Sequence, residues 1–156
     1  MAREYPDRPV VGVGGVVIRN DRALLIRRGS EPLLGQWSIP GGTLELGETL
    51  QQGVARELLE ETGVQVKVLD LIEVFDRIFT EPNGGGALQQ EKGPRFHFVI
   101  VDFLCEWISG EAKAASDATD VAYAAENELA DFQLTPTATR VLHAAFAMHR
   151  KCRNIP

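Results

Sequence analysis

Residues 42–64 read GTLELGETLQQGVARELLEETGV, and this stretch decides how the rest of the chain is read. Thr49 is a helix N-cap type, and Gly63 sits where a left-handed residue ends a helix. Between them Leu50, Val54 and Leu58 recur at i, i+4 and i+8 as one apolar stripe, so a helix is predicted over Thr49 to Thr62. Gly53 weakens that helix by about 1 kcal/mol relative to alanine, and close packing against another backbone is the expected reason. Between Glu45 and Glu61 lie five glutamates (Glu45, Glu48, Glu57, Glu60, Glu61) and one base, Arg56, leaving −4 of the chain's net −6 in this window. Glu57, Glu60 and Glu61 share one side of the helix in its C-terminal half, where the macrodipole disfavours anions. Glu57 and Glu61 also repel each other at i, i+4, and only Arg56 to Glu60 compensates. A helix built for stability would carry its acids at its start. Periodicity alone leaves two readings, a solvated acidic face and a seat for a hard divalent cation such as Mg²⁺, which takes carboxylate, water and phosphate oxygens.

The spacing separates them. From Gly42 the stretch fits G-x5-E-x7-R-E-U-x-E-E-x-G-U, with U a bulky apolar residue and every specified position filled. This resembles the signature of the Nudix hydrolases, and Trp37 to Gly42 (WSIPGG) together with the strand pattern extends the likeness over most of the chain. The resemblance implies attack of water on phosphorus in a nucleoside diphosphate joined to another moiety, an ADP-ribose-like or (d)NTP-like substrate. It implies Mg²⁺, with Mn²⁺ as a substitute, on Glu57, Glu60 and Glu61, completed by the Gly41 carbonyl. Arg56 would hold the carboxylates, Glu48 would fix the preceding loop, and Gly42 and Gly47 would allow its tight path. Glu57 is the first choice for general base. Asp117 is the best downstream candidate for a further ligand or base, with Asp120 and Glu91 behind it. A homodimer is also expected by resemblance.

Outward from this stretch, Val10 to Ile18 (VVGVGGVVI) reads as a strand with room for close backbone approach. Asn20-Asp21 turns it into a second strand, Ala23 to Ile26, ending in Arg27 and Arg28. Gly29 to Gly35 is a loop, and Trp37 to Ile39 is a short apolar stretch broken by Pro40-Gly41-Gly42. Strands are predicted over Val64 to Phe75, Phe96 to Trp107 and Val121 to Ala124, with loops over Thr80 to Pro94 and Ala112 to Thr119. Thr135 caps a last helix with Pro136 in its first position and Val141, Leu142, Ala145, Phe146 and Met148 on its apolar face. The order implies one α+β domain over residues 1–156, a central mixed β-sheet in an α/β/α sandwich rather than a doubly wound parallel sheet.

The remaining features bound the partners. Arg27 and Arg28 alternate across a strand, so one reaches the substrate and the other faces solvent. Trp37 and Gly42 are the other substrate-side candidates. Phe75 and Phe79 fit base stacking or the core, His97 reads as structural, and His143 and His149 receive no role. An acidic chain is ill suited to nucleic-acid backbone, and no run nears the roughly 18 apolar residues of a membrane span. MAREYPDRPV lacks the apolar core of a secretory signal, and Cys105 and Cys152 have no metal-type spacing, so a reduced, cytoplasmic setting is expected. Two other uses of this fold are isoprenoid-diphosphate isomerisation and non-catalytic nucleotide sensing. The complete signature argues against the first, and retention of Glu57, Glu60 and Glu61 argues against the second. By the same resemblance, members acting on ADP-ribose carry a proline at a position near Phe79, whereas the nearest proline here is Pro82.

Overall fold

The computed structural model describes residues 3–80 and 93–154. Within them β1 (Val10–Arg19) and β2 (Arg22–Arg28) form a hairpin whose turn residues Asn20 and Asp21 both have positive φ, 54° and 59°. Two positive values suit the twist of an antiparallel pair. The later elements are β3 (Trp37–Ser38), β4 (Gly41–Thr43), α1 (Leu50–Thr62), β5 (Gln65–Phe79), β6 (Phe96–Ser109), β7 (Ala118–Ala125), a 3₁₀ segment (Glu126–Phe132) and α2 (Pro136–Arg153). The strands join in one seven-stranded sheet along β3-β2-β1-β6-β5, with β4 on β1 and β7 on β2. The β1–β6 pair is parallel and the others are antiparallel, so the sheet is mixed as expected.

A helix covers each face, and alternation along the strands decides which residue meets which helix. Val16, Ile18, Ala23, Leu25 and Leu104 pack with Val141, Leu142, Ala145 and Phe146 of α2. Val13, Val17, Leu24, Val101 and Phe103 pack with Val54 and Leu58 of α1. Burial on both faces is why β1 and β2 are nearly unbroken apolar runs. Both helix starts follow their caps. The Thr49 hydroxyl accepts from Gln52 N at 3.1 Å while Gln52 accepts from Thr49 N at 2.9 Å, and Thr135 accepts from Ala138 N at 3.1 Å. Gly63 ends α1 in the left-handed region at φ 72°.

Four expectations are corrected. Pro40-Gly41-Gly42 does not simply interrupt the chain, because Gly41–Thr43 pairs with Gly12–Gly14 of β1 as strand β4. Strand β5 runs past Phe75 to Phe79, held in register opposite Phe96–Ile100 of β6. Strand β7 begins at Ala118, inside the expected loop, and a 3₁₀ segment that no periodicity announced follows it. Gly53 is packed by side chains, not backbone. A Cβ there would meet Leu44 Cδ1 at 2.8 Å, then Glu48 Oε1 and Val13 Cγ2 at 3.2 Å.

Candidate active site

Arg56 is the hub from which the acidic segment is built. Its Nε donates to Glu48 Oε2 at 2.9 Å and its Nη2 to Glu48 Oε1 at 2.6 Å, a two-pronged grip matching the planar guanidinium to a carboxylate. Nη2 also reaches the Thr43 carbonyl at 3.0 Å, while Nη1 donates to Glu57 Oε1 at 2.8 Å and to Glu60 Oε2 at 3.3 Å. One side chain thus ties the loop before α1, strand β4 and two helix acids together. Glu48 additionally accepts from Glu45 N at 2.8 Å. The Arg56 hydrogen bond, aided by that N–H, holds Glu48 down at a pKa of about 2, so it stays ionised as a strut.

Glycines let the acids reach the substrate side. A Cβ on Gly42 would lie 2.4 Å from Glu57 Cδ, so only glycine lets that carboxylate rest against the backbone of β4. A Cβ on Gly41 would lie 2.2 Å from the Val13 carbonyl oxygen, which fixes the close approach of β4 to β1. Gly41 N donates to Glu61 Oε2 at 3.0 Å, anchoring a side chain that is only 4% exposed. Burial raises the pKa of Glu61 to about 7, with Glu57 and Asp117 pushing the same way against the pull of Gly41 N–H and Arg28. Glu57 is raised too, mainly by burial, although Arg56 opposes it.

These groups open on a cavity of about 370 Å³. Its floor is one face of the sheet. Gly12 and Gly14 of β1, Phe98, Ile100 and Asp102 of β6, and Phe75, Arg77 and Phe79 of β5 alternate onto it. The β1 glycines make the room. Built Cβ atoms at Gly12 and Gly14 would strike Ile100 Cδ1 at 2.8 Å and Asp102 Oδ1 at 2.3 Å. The expected space in that strand is therefore present, filled by neighbouring side chains.

Of the residues singled out from sequence, Glu57, Glu60, Glu61, Arg56, Gly41, Gly42, Trp37, Arg28 and Asp117 all line this cavity. Glu48 stands behind Arg56. Arg27 is on the opposite face of β2, exposed, with its Nε on the Gly35 carbonyl at 2.9 Å, and is not among the lining residues. Arg28 is the member of the pair that faces inward. Asp120 is exposed and accepts from Val121 N at 2.8 Å, outside the lining. Glu91, Pro82 and most of the 80–94 loop lie outside the described residues. His143 pairs with Glu126 at 2.9 Å on α2, away from the cavity.

Three charged lining residues escaped the sequence reading. Asp102 is 4% exposed, makes no hydrogen bond among the described residues, and is pushed up to about 7 by burial and then by Glu73. Its signal was visible, a single acid inside the apolar run VIVDFLC. Arg77 was missed because the strand was ended at Phe75, and Arg3 because nothing in the first residues pointed to a site.

The donors offered to a metal are all oxygen, which suits a hard divalent cation. Among the described residues no three acid, histidine or cysteine side chains converge on one point, since one oxygen each of Glu57, Glu60 and Glu61 is turned to Arg56 or to Gly41 N. Their other oxygens accept no hydrogen bond among the described residues. Glu57 and Glu61 are raised by burial, and Glu57 pushes Glu61 further in the same direction, an environment that a cation relieves. The donor set fits Mg²⁺.

Comparison with known proteins identifies the family. A family model described as NUDIX domain matches residues 8–145. The chain is 34% identical over 121 residues to an ADP-ribose pyrophosphatase of Methanocaldococcus jannaschii, covering 78% of this chain and 64% of that protein. It is 36% identical over 135 residues to a MutT-like protein of Streptomyces ambofaciens, covering 86% of this chain and 75% of the relative. A Nudix hydrolase from Nitrosomonas europaea superposes with a TM-score of 0.70 at 23% identity, covering 90% of both chains. That likeness establishes the α+β fold with its mixed sheet.

Proposed function

The chain belongs to the Nudix family, and from that premise we propose that it is a Mg²⁺-dependent pyrophosphohydrolase that cleaves the diphosphate of a nucleoside diphosphate derivative, ADP-ribose-like or (d)NTP-like. The observation that carries this reading is the set of glutamates Glu57, Glu60 and Glu61 on one wall of the cavity, kept there at an electrostatic cost that the fold does not need. Glu57, Glu60, Glu61 and the Gly41 carbonyl are the groups that would hold the metal. When bound, it would neutralise the diphosphate and ease ionisation of the attacking water.

The chain's own residues supply the rest. Arg56 holds Glu57 through Oε1 and leaves Oε2 free, either to hold the metal or to take a proton from the water, and the raised pKa of Glu57 suits a general base. Arg28, anchored by its Nε on the Pro32 carbonyl at 2.6 Å, brings a positive charge to the cavity wall. Asp117 lies on the cavity wall as a second candidate for proton acceptor or ligand. Trp37, set edge-on to Phe132 at 5.2 Å, and Phe75 offer apolar surface for the rest of the nucleotide. The same reading takes the chain as one functional unit, a cytosolic homodimer, which sedimentation measures. Among the described residues no helix is long and apolar enough to cross a membrane.

A panel of nucleoside diphosphate derivatives incubated with purified protein and Mg²⁺, with the products identified, tests the reading. Metal-dependent release of two phosphate-bearing products from at least one member is expected. If the whole panel remains intact, the chain is not a hydrolase of this class.

A further inference from the structure

The cavity has a second charged end. Arg3, Arg28 and Arg77 all line it, and among the described residues none of the three is ion-paired to a carboxylate. Arg3 Nε is buried with no hydrogen-bond partner. Arg3 lies over the Phe98 ring and Arg77 over the Phe79 ring, at 5.6 and 5.1 Å from the centroids. Stacking occupies the guanidinium faces and leaves their N–H edges, the part that grips phosphate, for something else. Arg28 is held below its ordinary pKa by burial first and then by Arg3, with Arg77 pushing the same way and Glu61 and Asp117 pulling against them. It therefore stands between the two ends. Arg77 is also lowered, by burial.

Three cations drawn together and partly desolvated cost stability unless an anion joins them. Nothing in the fold requires them, since the sheet beneath is closed by Val10, Phe96 and Phe98. We propose that Arg3, Arg28 and Arg77 form a phosphate subsite distinct from the seat of the cleaved diphosphate, so that the substrate carries a further phosphate beyond the scissile linkage. A phosphate dianion fits better than a carboxylate, whose single charge leaves two of the three guanidinium groups unmatched. While no metal is bound, the acids at the opposite end repel that phosphate and leave the arginine end as its seat. This inference rests on the hydrolase reading for its substrate and on the arginines alone for its binding.

Calorimetric titration of the full chain in chelator, with AMP and adenosine as probes, tests it, because without metal the glutamate end attracts no phosphate. AMP should bind at least about tenfold more tightly than adenosine, and its affinity should fall as salt is raised. Arg77→Gln and Arg3→Gln should each weaken AMP about tenfold and leave adenosine unchanged, while Arg77→Lys retains part of the AMP affinity. Arg3 precedes β1 and belongs to no strand, so Arg3→Gln reads the subsite even if Arg77→Gln lowers the melting temperature. Equal affinity for AMP and adenosine, or wild-type AMP affinity in a folded Arg3→Gln variant, would overturn the subsite. AMP selectivity in a protein that hydrolyses nothing with Mg²⁺ would remove the hydrolase reading and leave the subsite standing.

Discussion

Helices α1 and α2 flank the same sheet and obey opposite electrostatic rules. Helix α2 places Arg150, Lys151 and Arg153 in its last turn, where they complement the helix dipole. Its charged side chains close on partners elsewhere, Arg140 on Glu73, Arg150 and His143 on Glu126, and Arg153 on Asp21. Helix α1 has no acid in its first turn and no base in its last, and carries Glu57, Glu60 and Glu61 toward its C-terminal end. Both helices bury an apolar face against the sheet, Val54 and Leu58 on one and Val141, Leu142, Ala145 and Phe146 on the other, so the electrostatic difference is not a matter of one helix being unpacked. Helix α2 is arranged for stability, whereas α1 gives up part of its own stability to hold acids at the cavity.

If the contrast holds, substitutions on the two sides should separate activity from stability. The largest effect is expected from Glu61→Gln, a loss of roughly a thousandfold in kcat, about 4 kcal/mol of transition-state stabilisation. Its melting temperature should stay level or rise, because a buried charge disappears while the amide oxygen still accepts from Gly41 N. A lowered melting temperature with full turnover would place Glu61 among structural residues instead.

Asp102 tests the border of the contrast, as the one charged residue among the described residues that is buried on the α2 face of the sheet. Its folded pKa of about 7 lies above the unfolded value, so the neutral carboxyl is the form the fold favours. Stability from this group is complete below about pH 4, falls as pH rises through about 7, and is level beyond. Asp102→Asn should therefore gain on the wild type across pH 4 to 8, by roughly 2–4 kcal/mol, in chelator. A constant difference between the two melting curves would show that Asp102 is ionised throughout.

Phe146→Ala, in the α2 core, should lower stability by about 3 kcal/mol and leave the turnover of folded molecules unchanged. A fall in kcat at a temperature where the variant is fully folded would mean that α2 also positions the site.

How far all this was legible depends on how local each signal is. The caps at Thr49 and Thr135, the Gly63 stop and the apolar, β-branched run of β1 are settled within a few residues, and each stands where the sequence puts it. The acid spacing in α1 was equally plain, since like charges at a helix's C-terminal end contradict local preference and so advertise another purpose. Strand β4 was not legible, because two glycines after a proline form a strand only when β1 is beside them. Arg3 and Arg77 were invisible for a similar reason. Their meaning lies in meeting Arg28 across three separate segments, which no spacing records. Between Arg27 and Arg28, alternation fixed that they part, and only the sheet shows which one turns inward.

The smallest expected effect examines whether the helices differ anywhere else. Their starts are alike, since each has a threonine whose hydroxyl accepts from the N–H three residues on at 3.1 Å. Thr49→Ala and Thr135→Ala should therefore cost about the same, roughly 1 kcal/mol each, read as equal shifts in urea midpoint at constant slope. Thr49→Ala should leave kcat unaltered even though it weakens the helix that carries the acids, because Glu57 and Glu61 are held from outside by Arg56 and Gly41 N and not by the first turn. Arg56 is itself clasped by Glu48 and the Thr43 carbonyl, so the acid cluster is framed by the loop and by β4. A joint loss of stability and turnover in Thr49→Ala would mean that the frame depends on the cap. In that case the acids would owe their placement to the whole helix, and the division between a helix for stability and a helix for chemistry would fail at its first turn.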